Sequence, residues 1–399
     1  MYHVRFLKVP YTKTSKISIF KRFESKSNRS AEQITLARSP ISRPPANGGY
    51  IIHAVVTVTT DLGESFLYGD AQLSVTFLSI SKDGKESIVS HQIVDWTCGM
   101  QALPIELPVT ISDIRRIKKQ NAAADEFIIK VDLNQGVRYV DHNHGDAENN
   151  DPIRFLPVTS QKFEIRDGFV RYKRDDNGFV VRKVELGNLR LALLEETGNS
   201  VNKHLWDSGL LLANYISTSS AAIQKKILSS LIPSIASGKI VRILELGTGC
   251  GLVGILFSKL VPNSEVYLSD LESTRDVCER NIALNKDRHG RHGKMRFVTF
   301  DWDSSSNTAS ENAEVYDKDW DLVISCDCTY NPDSFGILTD VMQKVIGQTT
   351  KLLLVHKDRH GSEKQIFDML RDKTKFVCDS EVVLGKKMGI SRAHILSKN

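Results

Sequence analysis

Apolar and polar positions alternate along the first third of the chain, in "YHVRFLKV" from Tyr2, "YIIHAVVTVTT" (50–60), "DAQLSVTFLSI" (70–80), "SIVSHQIVDW" (87–96) and "EFIIKVDL" (126–133). A period of two, with β-branched residues and short polar breaks, predicts strands that bury one face. "KFEIRDGFVRYKRDDNGFVVRKVEL" (162–186) continues the pattern and reads as hairpin strands around "DDNG". Two stretches carry no period. "SKSNRSAEQITLARSPISRPPANGG" (25–49) and "DHNHGDAENNDP" (141–152) are too polar to build a core and read as loops.

From about Val201 the period changes. Helix "WDSGLLLANYI" (206–216), strand "IVRILEL" (240–246), a helix after Gly251, strand "EVYLSD" (265–270) and helix "STRDVCERNIALN" (273–285) follow in turn. Strands "MRFVTF" (295–300), "DLVISCD" (321–327) and "KLLLVH" (351–356) come next, with helices "SFGILTDVMQKVI" (334–346) and "SEKQIFDMLRD" (362–372). Repeated strand–helix units predict an α/β fold with a doubly wound, mostly parallel sheet. The closing strands "FVCDSEVVLG" (376–385) and "SRAHILS" (391–397) have no helix between them, so one should run antiparallel. "DSSSNTASENAEVYDKD" (303–319) reads as a flexible acidic insertion. The expected division is an N-terminal β-rich accessory region, residues 1–160, and an α/β domain, residues 161–399.

Composition narrows the class only slightly. A chain of 399 residues has room for two cores, and 41% hydrophobic with 25% charged residues is ordinary for a globular protein. The net charge of +5 does not call for a nucleic-acid partner. No apolar run approaches the ~18 residues that a spanning helix needs. The six cysteines show no Cys-x-x-Cys spacing, which favours reduced intracellular thiols in a cytoplasmic or nuclear protein. Arg5, Lys8, Lys13, Lys16, Lys21 and Arg22 precede the first acidic residue, Glu24, as in a mitochondrial presequence. The strand-like alternation of "YHVRFLKV" argues against that alternative.

The chemistry concentrates at "ILELGTGCGLVGI" (243–255), where a strand runs into glycines at 247, 249 and 251 before a helix begins. Ligands of open α/β sheets sit beyond the carboxyl ends of the strands, where this loop must lie. Asp270 ends the next strand, where a carboxylate can accept from a ribose diol; capping the following helix is its bland alternative. No Gly-Lys-Ser/Thr follows, which excludes a P-loop, and the spacing is not the dinucleotide G-x-G-x-x-G. Glu245 beside the loop would repel a pyrophosphate and suits a cationic nucleoside.

At these residues the chain resembles the seven-stranded, Rossmann-like S-adenosylmethionine-dependent methyltransferases, over roughly residues 200–399. "LELGTGCGLVGI" is similar to their first motif and "VYLSDLES" to their acidic second. "HLWDSGLLLANYI" (204–216), "FDWD" (300–303) and "DCTY" (327–330) resemble a narrower group, the protein-lysine N-methyltransferases with a D-x-x-Y signature (methyltransferase-like family 16). The resemblance implies S-adenosyl-L-methionine as cofactor and a lysine side chain of a protein as substrate. It implies a cofactor site built from Trp206, Glu245, Gly247, Gly249, Gly251, Asp270, Asp301, Trp302 and Cys326. Within it, Asp301 and Trp302 would meet adenine; for Trp302 and Trp206 core packing is the lesser alternative. Asp327 and Tyr330 are the implied catalytic pair, the carboxylate orienting the incoming ammonium and the ring bordering its channel.

A lysine must lose its proton before its nitrogen can attack, at a cost of about 4 kcal/mol near pH 7.4. A carboxylate alone would favour the charged form, so the proton is expected to leave to water. Two rival readings keep the same cofactor residues or the same fold: methylation of a small amine or RNA base, and a non-catalytic binding module. His142 and His144 could suggest a metal but sit in a polar loop, so no metal is expected. "RHGRHGK" (288–294) is basic and reads as a solvated connection; nucleic acid is not favoured, and a monomer without membrane attachment is expected.

Overall fold

The computed structural model describes residues 2–12, 49–61, 63, 65–120, 126–134, 140–141, 155–166, 169–172, 178–187, 189–196, 201–287, 290–303, 305, 307–359, 361–385 and 390–398. The loop 25–48, His142 and His144, and the first two residues of "RHGRHGK" lie outside them.

Alternating sequence does become strands. Tyr2–Thr12, Gly49–Thr59 and Leu103–Thr110 pair antiparallel, and Tyr2–Thr12 also pairs parallel with Phe155–Leu156. A second sheet of nine strands includes Gly69–Ile80, Glu86–Trp96, Glu126–Leu133, Phe179–Leu186 and Leu189–Glu196. Val4, Phe6 and Ile52 of the first sheet share one core with Leu73, Phe77, Trp96 and Phe127 of the second. Trp96, fully buried, keeps its indole N–H bonded to the Leu67 carbonyl at 3.1 Å. Helix Ile111–Gln120 was not expected.

Three expectations need correction. The strands flanking "DDNG" do not pair with each other: Phe169–Tyr172 pairs with Phe163–Arg166, and Phe179–Leu186 with Leu189–Glu196. The pairings close one step to either side, at Arg166 with Phe169 and at Leu186 with Leu189. The division at residue 160 falls inside a sheet, because Val158–Ser160 pairs with Phe179–Leu186. The acidic insertion contains a helix, Ala309–Tyr316, started by a reciprocal Thr308–Glu311 capping box.

The α/β part begins with helices α1 (Asp207–Thr218) and α2 (Ala221–Leu231). Then come β1 (Val241–Leu246), α3 (Leu252–Leu260), β2 (Ser264–Asp270), α4 (Arg275–Asn285), β3 (Lys294–Thr299) and α5 (Ala309–Tyr316). The chain closes with β4 (Leu322–Cys326), α6 (Phe335–Val345), β5 (Lys351–Lys357), α7 (Lys364–Thr374), β6 (Phe376–Gly385) and β7 (Ser391–Lys398). Their order is β3-β2-β1-β4-β5-β7-β6, with β7 antiparallel to both neighbours. The order reverses between β1 and β4, which opens a crevice at their carboxyl ends.

The two parts share packing. Val184, Leu191 and Leu193 of the β-rich part lie in one buried cluster with Leu210, Ala213 and Ile216 of α1 and Ile243 of β1. Asn281 and Asn285, one turn apart on α4, bond the backbone of Leu189–Glu196. Asn281 accepts from the Leu194 N–H at 2.6 Å and donates to its carbonyl at 3.0 Å. Asn285 does the same at Ala192, at 3.2 and 2.8 Å. Two side-chain amides thus do for this strand what a neighbouring strand would.

Candidate active site

A cavity of about 210 Å³ lies at the carboxyl ends of β1, β2 and β4. Glu245, Asp270, Asp301 and Asp327 contribute four carboxyl groups to its wall, and among the described residues no lysine or arginine lines it. Such a wall disfavours phosphate and favours a cation. Trp206, Phe300, Trp302 and Tyr330 supply apolar faces. The donor set therefore fits a nucleoside carrying positive charge, as S-adenosylmethionine does.

The first loop explains its own glycines. At Gly247 the backbone turns left-handed, φ 68°, and a Cβ there would lie 2.6 Å from Cys328 Sγ and 3.2 Å from the Trp302 ring. Only glycine lets the chain pass so close to the tryptophan. Glu245 accepts from the Thr248 hydroxyl and from the Gly254 N–H, the latter at 2.9 Å. It thereby ties the loop to the first turn of α3. Burial raises the Glu245 carboxyl to about 7, against the pull of those two bonds. Asp270 accepts from the Gly249 N–H at 2.8 Å and from the Leu271 N–H at 2.7 Å, and burial raises it as well. It holds the glycine loop and is not the cap of α4. Gly251 does not line the cavity; it is the left-handed residue that starts α3.

Trp302 and Trp206 are partly buried and both border the cavity, so neither is simply core. The Asp301–Trp302 turn is fixed by Asn307, which accepts from the Asp301 N–H and donates to its carbonyl, both at 2.8 Å. Trp206 precedes α1, with the His204 ring edge-on at 6.3 Å and the Arg359 guanidinium 5.7 Å from its ring centre. Cys326, at the end of β4, lines the cavity, and burial pushes its thiol well up.

Asp327 has partners that its sequence did not disclose. It sits at φ 55°, uncommon for a residue with a side chain. Its carboxylate accepts from the Ser208 hydroxyl at 2.8 Å, the Ser208 N–H at 3.0 Å and the Arg359 guanidinium at 3.0 Å. Burial pushes the Asp327 carboxyl up, while Arg359 and Ser208 pull it down. The carboxylate expected to face an ammonium is thus committed to the start of α1 and to an arginine. Tyr330, 51% exposed, stands at the rim. Sequence reasoning missed Ser208 and Arg359. The one available signal was "HKDRH", which puts two cations at the carboxyl end of β5, where the crevice lies.

A family model described as lysine methyltransferase matches residues 185–373. A UPF0665 family protein of Schizosaccharomyces pombe is 27% identical over 325 residues, covering 79% of this chain and 85% of that protein. An alignment of that length reaches well into the β-rich part. The protein-lysine N-methyltransferase EFM6 of Saccharomyces cerevisiae is 25% identical over 189 residues, 45% of this chain and 74% of its own. The protein N-lysine methyltransferase METTL21A of Danio rerio is 23% identical over 190 residues, 47% of this chain and 76% of its own. The sheet order, the glycine loop and the carboxylate-walled cavity agree with these matches: over residues 185–373 the chain is similar to the lysine methyltransferase family.

Proposed function

We propose that the protein transfers methyl groups from S-adenosylmethionine to the side chain of a lysine on a specific protein. The observation that carries the reading is the wall of four carboxyl groups, lined by no lysine or arginine among the described residues, opening beside the exposed ring of Tyr330. The family match and the names of the two methyltransferase relatives support it. The six unpaired cysteines fit a reducing compartment, cytoplasm or nucleus.

S-adenosylmethionine, when bound, supplies a methyl group activated by its sulfonium. Asp270 would hold the ribose diol, Glu245 would offset the positive methionine end, and Trp302 with Phe300 would cover adenine. Tyr330 would flank the aliphatic stem of the lysine. A lysine nitrogen that had lost its proton to water would take the methyl group, leaving the cofactor as S-adenosylhomocysteine. Positioning in the cavity would supply most of the acceleration.

Incubation of the protein with methyl-tritiated S-adenosylmethionine and a cell extract tests the reading. Label in the protein fraction is expected. Label confined to RNA or small amines, or no transfer at all, would contradict it.

A further inference from the structure

Between the β-rich part and the cavity lies a cluster of buried charges that the proposed cofactor contacts do not use. Asp61 follows strand Gly49–Thr59, and only 2% of it is exposed. It accepts from the Arg359 guanidinium at 2.7 Å and from the Lys357 ammonium at 3.2 Å. Arg359 spans from Asp61 to Asp327, its second contact, at 3.0 Å. Lys357 spans from Asp61 to Asp207 at 2.8 Å, and Asp207 meets the ring of His3 at 3.0 Å. Burial and Asp207 oppose ionisation of Asp61, yet Lys357 and Arg359 outweigh them and hold its carboxyl below the ordinary value.

Arg359 is the pivot. A guanidinium binds two carboxylates with fixed geometry, and here one comes from each part of the chain. Its planar group also lies near Trp206, a residue of the cavity wall. Buried ion pairs seldom add much stability over apolar packing, but removal of one partner leaves the others unpaired and costs several kcal/mol. The cluster therefore determines an arrangement more than it stabilises the fold.

We infer that Asp61 is a positioning residue for methyl transfer: through Arg359 it fixes Asp327 and Trp206, so that the β-rich part completes the transferase site. The inference rests on the lysine-methylation reading. Its reach is distinct, because it gives the N-terminal part a role inside the reaction geometry rather than in choosing a substrate.

The test uses the full chain with Asp61→Asn, Asp61→Glu and the charge-balanced pair Asp61→Asn with Lys357→Met. The pair removes one carboxylate and one ammonium together, so it guards against a variant that merely fails to fold. Affinity for S-adenosylhomocysteine is measured by calorimetry, and label transfer into extract protein is measured at saturating cofactor. The balanced pair is expected to bind S-adenosylhomocysteine within about threefold of wild type and to transfer methyl at least tenfold more slowly. Asp61→Glu is expected to recover part of that loss, and Arg359→Gln to add little to Asp61→Asn. Wild-type turnover in the balanced pair, or independent multiplicative effects of Asp61→Asn and Arg359→Gln, would overturn the inference. If wild type itself puts no label into protein, the lysine reading fails instead.

Discussion

Near pH 7 the Glu245 carboxyl is about half protonated, because burial lifts it to about 7 from an ordinary 4.5. A bound ammonium or sulfonium favours the ionised form, so cofactor binding should expel a proton. Affinity should then fall as pH drops through 7, by about tenfold between pH 8 and pH 6. Calorimetry in buffers of different ionisation enthalpy measures both effects. Glu245→Gln keeps an acceptor for Thr248 and Gly254 and should flatten the profile; a wild-type affinity unchanged across this range would refute the assignment. The sign for folding is opposite. The native state holds this proton more tightly than the unfolded chain, so the stabilisation is full below about 4.5 and is lost as pH rises to about 7.

Local residues of the site were legible for a local reason: Glu245, Gly247 and Asp270 do their work within one strand–loop–helix unit. Asp327 was legible as important, but its partners were not. Ser208 lies 119 positions away from it and Arg359 lies 32, and no periodicity links them.

At the scale of elements, α4 holds the β-rich part by its two asparagines. Asn281 is fully buried and satisfies the Leu194 N–H and carbonyl and the Cys250 carbonyl. Asn281→Ala leaves three buried backbone groups without that partner, and each orphaned group costs about 1–3 kcal/mol. A loss of about 3 kcal/mol is expected in urea denaturation; a loss below about 1 kcal/mol would mean that water or a shift of the strand replaces the amide. The sequence pattern identified α4 as a helix but could not identify its polar buried face, because asparagine at that spacing also suits a solvated one. The same ambiguity hid α5, whose polar surface masked its capping box.

For the whole molecule, the parallel sheet was readable from alternating strands and helices, whereas the boundary between parts was not. Composition changes near Val201, but the β-rich strands run on to Glu196 and bury Leu191 and Leu193 against α1. Removal of residues 1–160 should therefore expose apolar surface and take Asp61 from Lys357 and Arg359 and His3 from Asp207, leaving a fragment that aggregates or binds cofactor far more weakly. Size-exclusion chromatography with calorimetry decides this. A monodisperse fragment with full S-adenosylhomocysteine affinity would show that the α/β part stands alone.

The central claim is the destination of the methyl group. Full-length protein, S-adenosylmethionine carrying a trideuterated methyl and a cell extract, followed by tryptic mass spectrometry, locates that group to the atom. The account predicts trideuteromethyl on the side-chain nitrogen of a lysine in a small set of proteins, and none with Asp270→Ala at cofactor concentrations that saturate wild type. Trideuteromethyl on arginine, histidine or a carboxyl group, or equal labelling by Asp270→Ala, would contradict it.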